Sequence, residues 1–377
     1  MKTLVFDNIL SGHHLEYIHH LYVGAMQKNS EEFIFAVPRD GWSRVRDKRE
    51  WQQATNIRWV MLDDQECEKA SQGSMIARCF KLSKLIKRIA IQEGADRIKL
   101  ISLAGVIPIL PLILPSKIKL SGIIYKIYLR APKTGIRKIM DYFRYAVMSK
   151  SQSVDKVYIL NDPRSTERLN NTYHTARFKT LADPVPEPDI SKVVNLRNDL
   201  NIPESATVFL HFGAMDSRKG TLEIVQAINL LSVEDLNNKY FIFAGKINNS
   251  IKEQFYKLAG NAKQKGANII IRDEFCSYEY LYSLCYSSDC ILIPYKLTDL
   301  SSGALGYAAL FGKPVIGPSS GLIGELIQDN KLGLIIDVSP ESLKYAIQHI
   351  QPDSISSMGK KYIELNRKEC FITNFLE

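Results

Sequence analysis

The amino-acid sequence predicts an α/β protein made of two doubly wound domains with parallel sheets. Strand-like apolar runs alternate with helical runs along the chain, which is the pattern of parallel sheets covered by helices. The 377 residues exceed the length of one typical domain. Around residues 183–189 the chain becomes Pro-rich and extended, DPVPEPD, which is typical of a linker.

The order of elements divides the chain into four segments. Residues 1–182 form the first domain, 183–195 the linker and 196–360 the second domain, and a C-terminal helix over 361–377 returns to the first domain. Each domain is Rossmann-like. Strands are predicted over residues 3–6, 33–37, 57–62, 98–102, 122–125 and 156–160 in the first domain, and over 208–212, 240–244, 267–271, 290–294 and 314–316 in the second.

The segment 295–320 of the second domain predicts an anion site. A strand end leads into Ser301, Ser302 and Gly303, which are N-cap residues with nothing bulky among them. A short helix follows over residues 304–311, and a second buried strand restarts after Gly312. The helix N-terminus therefore lies at the carboxyl edge of a parallel sheet, where unpaired N–H groups including that of Ala304 can bind a phosphate. A Ser-Ser-Gly that stood alone would more often be an ordinary helix cap.

A second cluster precedes it in the chain. A β-rich run over residues 207–212 is broken by Gly213, and Arg218 and Lys219 then lead into an amphipathic helix over 221–231. Guanidinium and ammonium groups at a strand–loop–helix junction suit phosphate binding. Alone, the two cations could equally be a solvated pair before a helix. Together with the segment 295–320, they predict a diphosphate site.

Both clusters resemble the donor-binding signature of glycosyltransferase family 4. The family phrase E-x7-E, which ends in a run like EAMACGTPVI, corresponds here to YAALFGKPVI, and a family run like GRLVPEKG corresponds to the region of Lys219. This register places Asp299 at the first family Glu and Tyr307 at the second, so recognition of the ribose must differ. Ala214 stands where the family has an Arg, and we predict that Arg218 replaces it.

The resemblance implies a GT-B glycosyltransferase, with two domains facing across a cleft and the nucleotide site in the second. It implies a retaining transfer from a nucleotide diphosphate sugar, with no cofactor. Arg218, Lys219 and Asp299 are the predicted catalytic group, and Gly213, Ala214, Arg272, Ser301, Ser302, Gly303, Ala304 and Tyr307 the predicted donor-binding residues. No metal is expected, because two cations and a helix N-terminus can stabilise the departing diphosphate.

The first domain is predicted to supply the acceptor side of the cleft. A loop at Ser11 and Gly12 follows the first strand, and His13 and His14 come directly after it. Either histidine could contact donor sugar or acceptor, although a packed or exposed structural side chain is the more common role. The His of the family's short G-x-x-H motif is absent, and Tyr125 stands at the best candidate position.

Charge and composition bear on the partners. The net charge is +9, and residues 117–150 interleave basic with apolar side chains around a single acid, Asp141. The apolar run 100–115 that precedes them contains three prolines and is shorter than the roughly 20 residues of a membrane-spanning helix. This region is either a buried strand with a Pro-broken loop or a patch that docks on an anionic membrane. No recognised nucleic-acid-binding motif accompanies the charge.

Location is predicted from the cysteines and the N-terminus. Six cysteines without CxxC spacing indicate reduced thiols in a cytosolic protein, and no signal peptide precedes the first strand. We therefore expect a cytoplasmic protein, peripheral on the inner face of the membrane if the basic patch docks there. The predicted function is sugar transfer to a glycan or lipid-linked acceptor in surface polysaccharide biosynthesis. A non-catalytic nucleotide- or sugar-binding protein of the same fold is the alternative, and a nucleotide-sugar epimerase lacks the acids it would need.

Overall fold

The structure is a computed structural model that describes residues 1–10, 13–48, 50–132, 134–351 and 359–377. It divides into two compact units. The first comprises Met1–Asp183 together with Lys368–Glu377, and the second comprises Pro184–Arg367. Each unit is built on one parallel sheet with helices on its faces, so the predicted fold class of two α/β domains is confirmed.

The first unit has a seven-stranded sheet in the order β3-β2-β1-β4-β5-β6-β7. Its strands are β1 (Lys2–Phe6), β2 (Glu32–Pro38), β3 (Ile57–Leu62), β4 (Arg97–Leu100), β5 (Lys119–Ile124), β6 (Val154–Leu160) and β7 (Phe178–Leu181). Its helices are α1 (His13–Met26), α2 (Arg39–Val45), α3 (Asp64–Ser71), α4 (Met75–Gln92), α5 (Ile109–Ile113), α6 (Gly135–Lys150) and α7 (Pro163–Tyr173). Strand β7 was not predicted, because its four residues, FKTL, carry two exposed polar side chains at their centre.

The second unit has a six-stranded sheet in the order β10-β9-β8-β11-β12-β13. Its strands are β8 (Thr207–Phe212), β9 (Lys239–Ala244), β10 (Asn268–Arg272), β11 (Cys290–Leu292), β12 (Val315–Pro318) and β13 (Gly333–Ile336). Its helices are α8 (Thr221–Leu230), α9 (Val233–Leu236), α10 (Asn249–Gln264), α11 (Tyr278–Ser287), α12 (Gly303–Leu310), α13 (Gly321–Asp329), α14 (Pro340–His349) and α15 (Gly359–Leu365).

The C-terminal segment differs from the single helix predicted over residues 361–377. It forms α15 and then α16 (Lys368–Leu376), and only α16 belongs to the first unit. There Phe371 and Phe375 are fully buried in the same core cluster as the inward face of α1. A Cβ at Gly24 of α1 would overlap the Ile372 side chain, so the two helices pack closely. By contrast, α15 packs on α12 in the second unit, where a Cβ at Gly359 would lie 2.6 Å from the Ala309 carbonyl oxygen.

Candidate functional site

The strand order of the second unit reverses between β8 and β11. From β8 the chain adds β9 and β10 on one side, and it then returns to place β11 on the other. In open parallel sheets, ligands bind at the carboxyl ends of the strands at such a switch point, because the two following loops diverge there. The loops after β8 and β11 are the two clusters singled out in the sequence. The structure therefore places both clusters at adjacent strand ends of one sheet edge.

Glycines shape the loop after β8. Gly213 has φ +93°, and its carbonyl oxygen lies so close to Gly245 that a Cβ there would overlap it. Gly220 ends the loop with φ +68°, and a Cβ on it would overlap the Pro294 carbonyl oxygen just beyond β11. Only glycine combines this backbone conformation with such close approach. Gly220 therefore brings the loop after β8 against the loop after β11.

The two cations of this loop have different surroundings. Arg218 is exposed, and its guanidinium donates to the Asp216 carboxylate through Nη2 at 2.5 Å and Nε at 3.1 Å. Burial alone would raise the pKa of Asp216, but the hydrogen bonds from Arg218 outweigh it and hold that pKa below its usual value. Lys219 instead places its ammonium 5.0 Å from the ring centroid of Tyr295. A Cβ on Gly213 would lie 2.9 Å from the Lys219 Nζ, so this ammonium extends over the strand end.

Three contacts fix the loop after β11. The Lys296 backbone N–H donates to the Arg218 carbonyl at 2.7 Å, which ties the two loops together. The Lys296 ammonium pairs with Glu223 in the first turn of α8. Farther along, the Thr298 carbonyl accepts from the Ile323 N–H of α13 at 3.2 Å. Asp299 follows directly and is half-buried in this anchored loop.

The N-terminus of α12 begins where this loop ends. Ser302 is the N-cap residue, as predicted, and its side chain makes no capping hydrogen bond. The first N–H groups of a helix have no partner within the helix and carry partial positive charge. Gly303 is exposed, and no atom outside its neighbouring residues and its own helix backbone lies within 4 Å of where its Cβ would be, while Ala304 is buried behind it. The space in front of Gly303 is therefore open to a ligand. Ser301 is half-buried one residue before the cap.

Tyr307 and Arg272, two further predicted donor-binding residues, lie away from the first residues of α12. The Tyr307 ring, one turn into α12, packs edge-on against Phe212 with centroids 5.3 Å apart and stacks on Tyr282 at 5.4 Å. Its ring is thus part of an aromatic cluster, and a contact of its hydroxyl with ribose stays a prediction. Arg272 ends β10, two strands from β8, and is exposed. Ala214 is exposed in the loop after β8.

His211 is a buried polar residue that the sequence analysis missed. Its Nδ1–H donates to the Leu292 carbonyl at 2.8 Å, and its Nε2 accepts from the Thr221 hydroxyl at 3.0 Å. Burial lowers the pKa of His211 to about 4, so the ring is neutral at physiological pH. It joins β8, β11 and the start of α8 directly beneath the switch point. A histidine inside the apolar run TVFLHF was the signal that could have revealed it.

The first unit has its own switch point, between β1 and β4. Asp7 follows β1, is buried, and accepts hydrogen bonds from the Leu10 N–H at 2.9 Å and from His14 Nδ1 at 3.0 Å. The His14 ring stacks on Tyr125, with centroids 5.9 Å apart. Burial first, and then the Asp7 charge, raise the pKa of Tyr125, so its phenol is protonated. His14 and Tyr125, both predicted for the acceptor wall, therefore lie together with an acid that was not predicted.

The other predicted acceptor-side residues are Ser11, Gly12 and His13. Ser11 and Gly12 lie outside the described residues, and His13 is described only as the first residue of α1. In the part of the chain that the structure describes, no group of three or more His, Cys, Asp or Glu side chains could hold a metal ion.

The second unit matches a known family. Residues 194–368 match the glycosyl transferases group 1. A curated relative, the lipopolysaccharide 1,2-N-acetylglucosaminetransferase of Salmonella typhimurium, is 27% identical over 143 residues, which make up 37% of this chain and 37% of the relative. In this match, the chain thus spans little more than a third of the relative's length.

Solved structures share the fold over nearly the whole chain. WaaG, a glycosyltransferase involved in lipopolysaccharide biosynthesis, has a TM-score of 0.65 at 14% identity, covering 97% of this chain and 95% of WaaG. Anabaena Alr3699/HepE, solved in complex with UDP and glucose, has a TM-score of 0.68 at 14% identity, covering 100% of this chain and 97% of that protein. The chain therefore has the GT-B glycosyltransferase fold, as predicted. Membership of family 4 in particular stays a prediction.

Proposed function

We propose that this chain is a glycosyltransferase that moves a sugar from a nucleotide diphosphate donor to a glycan or lipid-linked acceptor. One observation carries the proposal: the switch point of the second unit brings Lys219 and the N-terminus of α12 to adjacent strand ends, with open space before Gly303. Both features favour an anion with several oxygens, and the match of residues 194–368 to glycosyl transferases group 1 supports a donor diphosphate.

The proposed chemistry follows from where charge develops. The acceptor oxygen forms a bond to the anomeric carbon as the bond from that carbon to the diphosphate oxygen breaks. The proton of the acceptor hydroxyl passes to the departing diphosphate on the same face, which retains the anomeric configuration. Lys219 and the N–H groups of Gly303 and Ala304 stabilise the growing phosphate charge. These groups can do so without a metal ion, so we propose a metal-independent reaction.

The relatives support an acceptor that belongs to lipopolysaccharide biosynthesis. The curated relative is named as a lipopolysaccharide N-acetylglucosaminetransferase, and WaaG is described as acting in lipopolysaccharide biosynthesis. We extend this to a role in surface polysaccharide biosynthesis for the present chain. The acceptor would then be met by the first unit, where Asp7, His14 and Tyr125 lie together.

Nucleotide-sugar binding is the direct test of this function. We expect one donor from a panel of UDP-, GDP- and ADP-sugars to raise the melting temperature, because a ligand at 100 times its Kd adds about 2.7 kcal/mol to stability. The UDP-sugars come first, since Alr3699/HepE was solved with UDP. The same donor should slowly release nucleotide diphosphate without acceptor. A panel that stabilises nothing would contradict the proposal.

A non-catalytic binder is the second candidate function. Tyr307 and Tyr125 stand where the resembled family has a Glu and a His, and the Tyr307 ring is packed between aromatic neighbours. A binder would be stabilised by a nucleotide sugar but would release no nucleotide diphosphate on long incubation. Donor hydrolysis therefore separates the two candidates.

We also propose peripheral attachment to the cytoplasmic face of a membrane. No helix in the described ranges combines the length and apolar character that crossing a bilayer requires. The support is the basic and apolar character of residues 117–150. We expect co-sedimentation with anionic vesicles at low salt and release at high salt, because the Debye length shrinks to about 3 Å at 1 M. A protein that stays in the supernatant at low salt would contradict attachment.

A further inference from the structure

An apolar groove opens on the first unit between α4, α5 and α6. Its volume is about 530 Å³, within the range of about 300 to 1,000 Å³ typical of small-molecule sites. Its lining includes residues of the segment from Ala104 to Ile109 after β4, but none of Asp7, His14 and Tyr125. The lining side chains are mostly apolar and include Met75, Cys79, Leu82, Ile109, Met140 and Phe143.

The same helices expose large apolar side chains beyond the groove. Ile76 on α4 is 64% exposed, and Ile136 and Ile139 on α6 are 74% and 69% exposed. Leu112 on α5 is also exposed. Soluble proteins rarely leave so much apolar surface together unless something covers it. A small soluble ligand would fill the groove but leave these surrounding side chains in water.

Positive charge accompanies this apolar surface. Helix α4 carries Arg78, Lys81, Lys84, Lys87 and Arg88 and no acid. The one acid of α6 is Asp141, which is buried, and its Oδ1 lies 3.7 Å from Arg144 Nη1.

Two cations belong to the groove itself. Arg78 and Arg144 line it, and Arg144 Nη2 donates to the Ala104 carbonyl at its edge at 3.0 Å. Farther along α4, the Lys84 ammonium lies 4.4 Å from the ring centroid of exposed Phe80. Two cations and mostly apolar side chains thus line the same groove, a combination that suits the phosphate and hydrocarbon layers of a bilayer.

We propose that this groove takes a hydrocarbon chain of an anionic bilayer lipid, whose headgroup phosphate is held by the cations at the rim. A bilayer covers both the groove and the exposed apolar rim, and its surface charge complements the cations. This inference rests on the membrane attachment in the proposed function and adds a specific lipid site to it. Attachment by charge alone would need the cations but not the groove.

Variants that fill the groove distinguish lipid binding in the groove from attachment by charge alone. Ala104 and Ser71 line the groove and are exposed, so Ala104→Trp and Ser71→Trp would occupy it while adding apolar surface. We expect each variant to bind phosphatidylcholine vesicles containing phosphatidylglycerol at least about tenfold more weakly than the wild type, because a lipid chain is excluded. Ile91→Trp is the matched control, since Ile91 is 53% exposed on the same α4 but does not line the groove. It should bind at least as tightly as the wild type.

The outcomes are distinguishable. If both filled variants melt like the wild type and bind vesicles equally well, with release by salt, the groove site is wrong while the attachment stands. If the wild type fails to bind at low salt, the attachment fails and the groove site with it. Nucleotide-sugar binding by the second unit, measured by thermal shift in the same variants, should be unchanged. A variant that loses both donor stabilisation and vesicle binding is misfolded. The groove site is then tested by the other groove-filling variant, provided that it melts like the wild type.

Discussion

Lys219→Ala should lower kcat/KM for the nucleotide sugar by about 10- to 150-fold, which corresponds to a charge-assisted hydrogen bond worth about 1.5 to 3 kcal/mol. The ammonium lies above the end of β8, over Gly213 and beside Tyr295, at the point where the strand order reverses. A phosphate at this switch point would be within its reach. Steady-state kinetics with the donor identified by thermal shift measure the effect.

Arg218→Ala is the matched control for Lys219→Ala. The Arg218 guanidinium is exposed and is already engaged with the Asp216 carboxylate in its own turn. Its removal should therefore cost at most about fivefold in kcat/KM, which corresponds to about 1 kcal/mol. Equal losses in the two variants would return Arg218 to the phosphate-binding role that the sequence predicted. Undiminished activity in Lys219→Ala would remove Lys219 from the site.

The architecture around Lys219 was readable from the sequence because it depends on local patterns. Apolar runs that end at Gly213 or before Ser301 predict strands followed by loops, and these junctions recur at the carboxyl edge of any parallel sheet. The pairing of Arg218 with Asp216 was not readable, because a carboxylate two residues away could equally face solvent. The roles of Tyr307 and His211 depend on side chains from distant elements, which spacing along the chain does not specify.

The proposed lipid groove also could not be predicted from the sequence, because its walls come from separate segments of the chain. Residues 117–150 stood out as basic and amphipathic, and α6 within them does expose Ile136 and Ile139. The other wall comes from α4, which begins some forty residues earlier than this zone and reads as an ordinary amphipathic helix. Only the packing of α4 and α5 beside α6 reveals a cavity between them.

Lys99 in the first unit is a buried ionisable residue, and its burial could not be predicted from the local sequence pattern. It lies within β4 and is 1% exposed. Among the described residues its Nζ has no hydrogen-bond partner, and the ring centroid of Phe375 is 5.8 Å away. Burial, and secondarily the charges of Lys156 and Arg97, lower the pKa of Lys99 to about 7. In the unfolded chain the same group has a pKa of about 10.4.

Lys99→Met should therefore raise the free energy of unfolding by about 4 kcal/mol at pH 7 and below. Between about pH 7 and 10 the unfolded wild type holds a proton on Lys99 that the folded state does not, so wild-type stability rises with pH. The advantage of the methionine should accordingly shrink by up to about 1.4 kcal/mol per pH unit and be nearly gone at pH 10. Urea unfolding of both proteins at pH 6, 8 and 10 measures this difference.

Lys179→Met supplies the comparison, because Lys179 is an exposed lysine on β7 of the same sheet. Its replacement should change stability by no more than about 0.5 kcal/mol at every pH. A stabilisation by Lys99→Met that is the same at pH 6 and pH 10 would mean that better packing, and not removal of a buried charge, is the cause. A destabilised variant at pH 6 would mean that the Lys99 ammonium has a compensating partner in the folded protein, which would contradict its assignment as an unpaired buried cation.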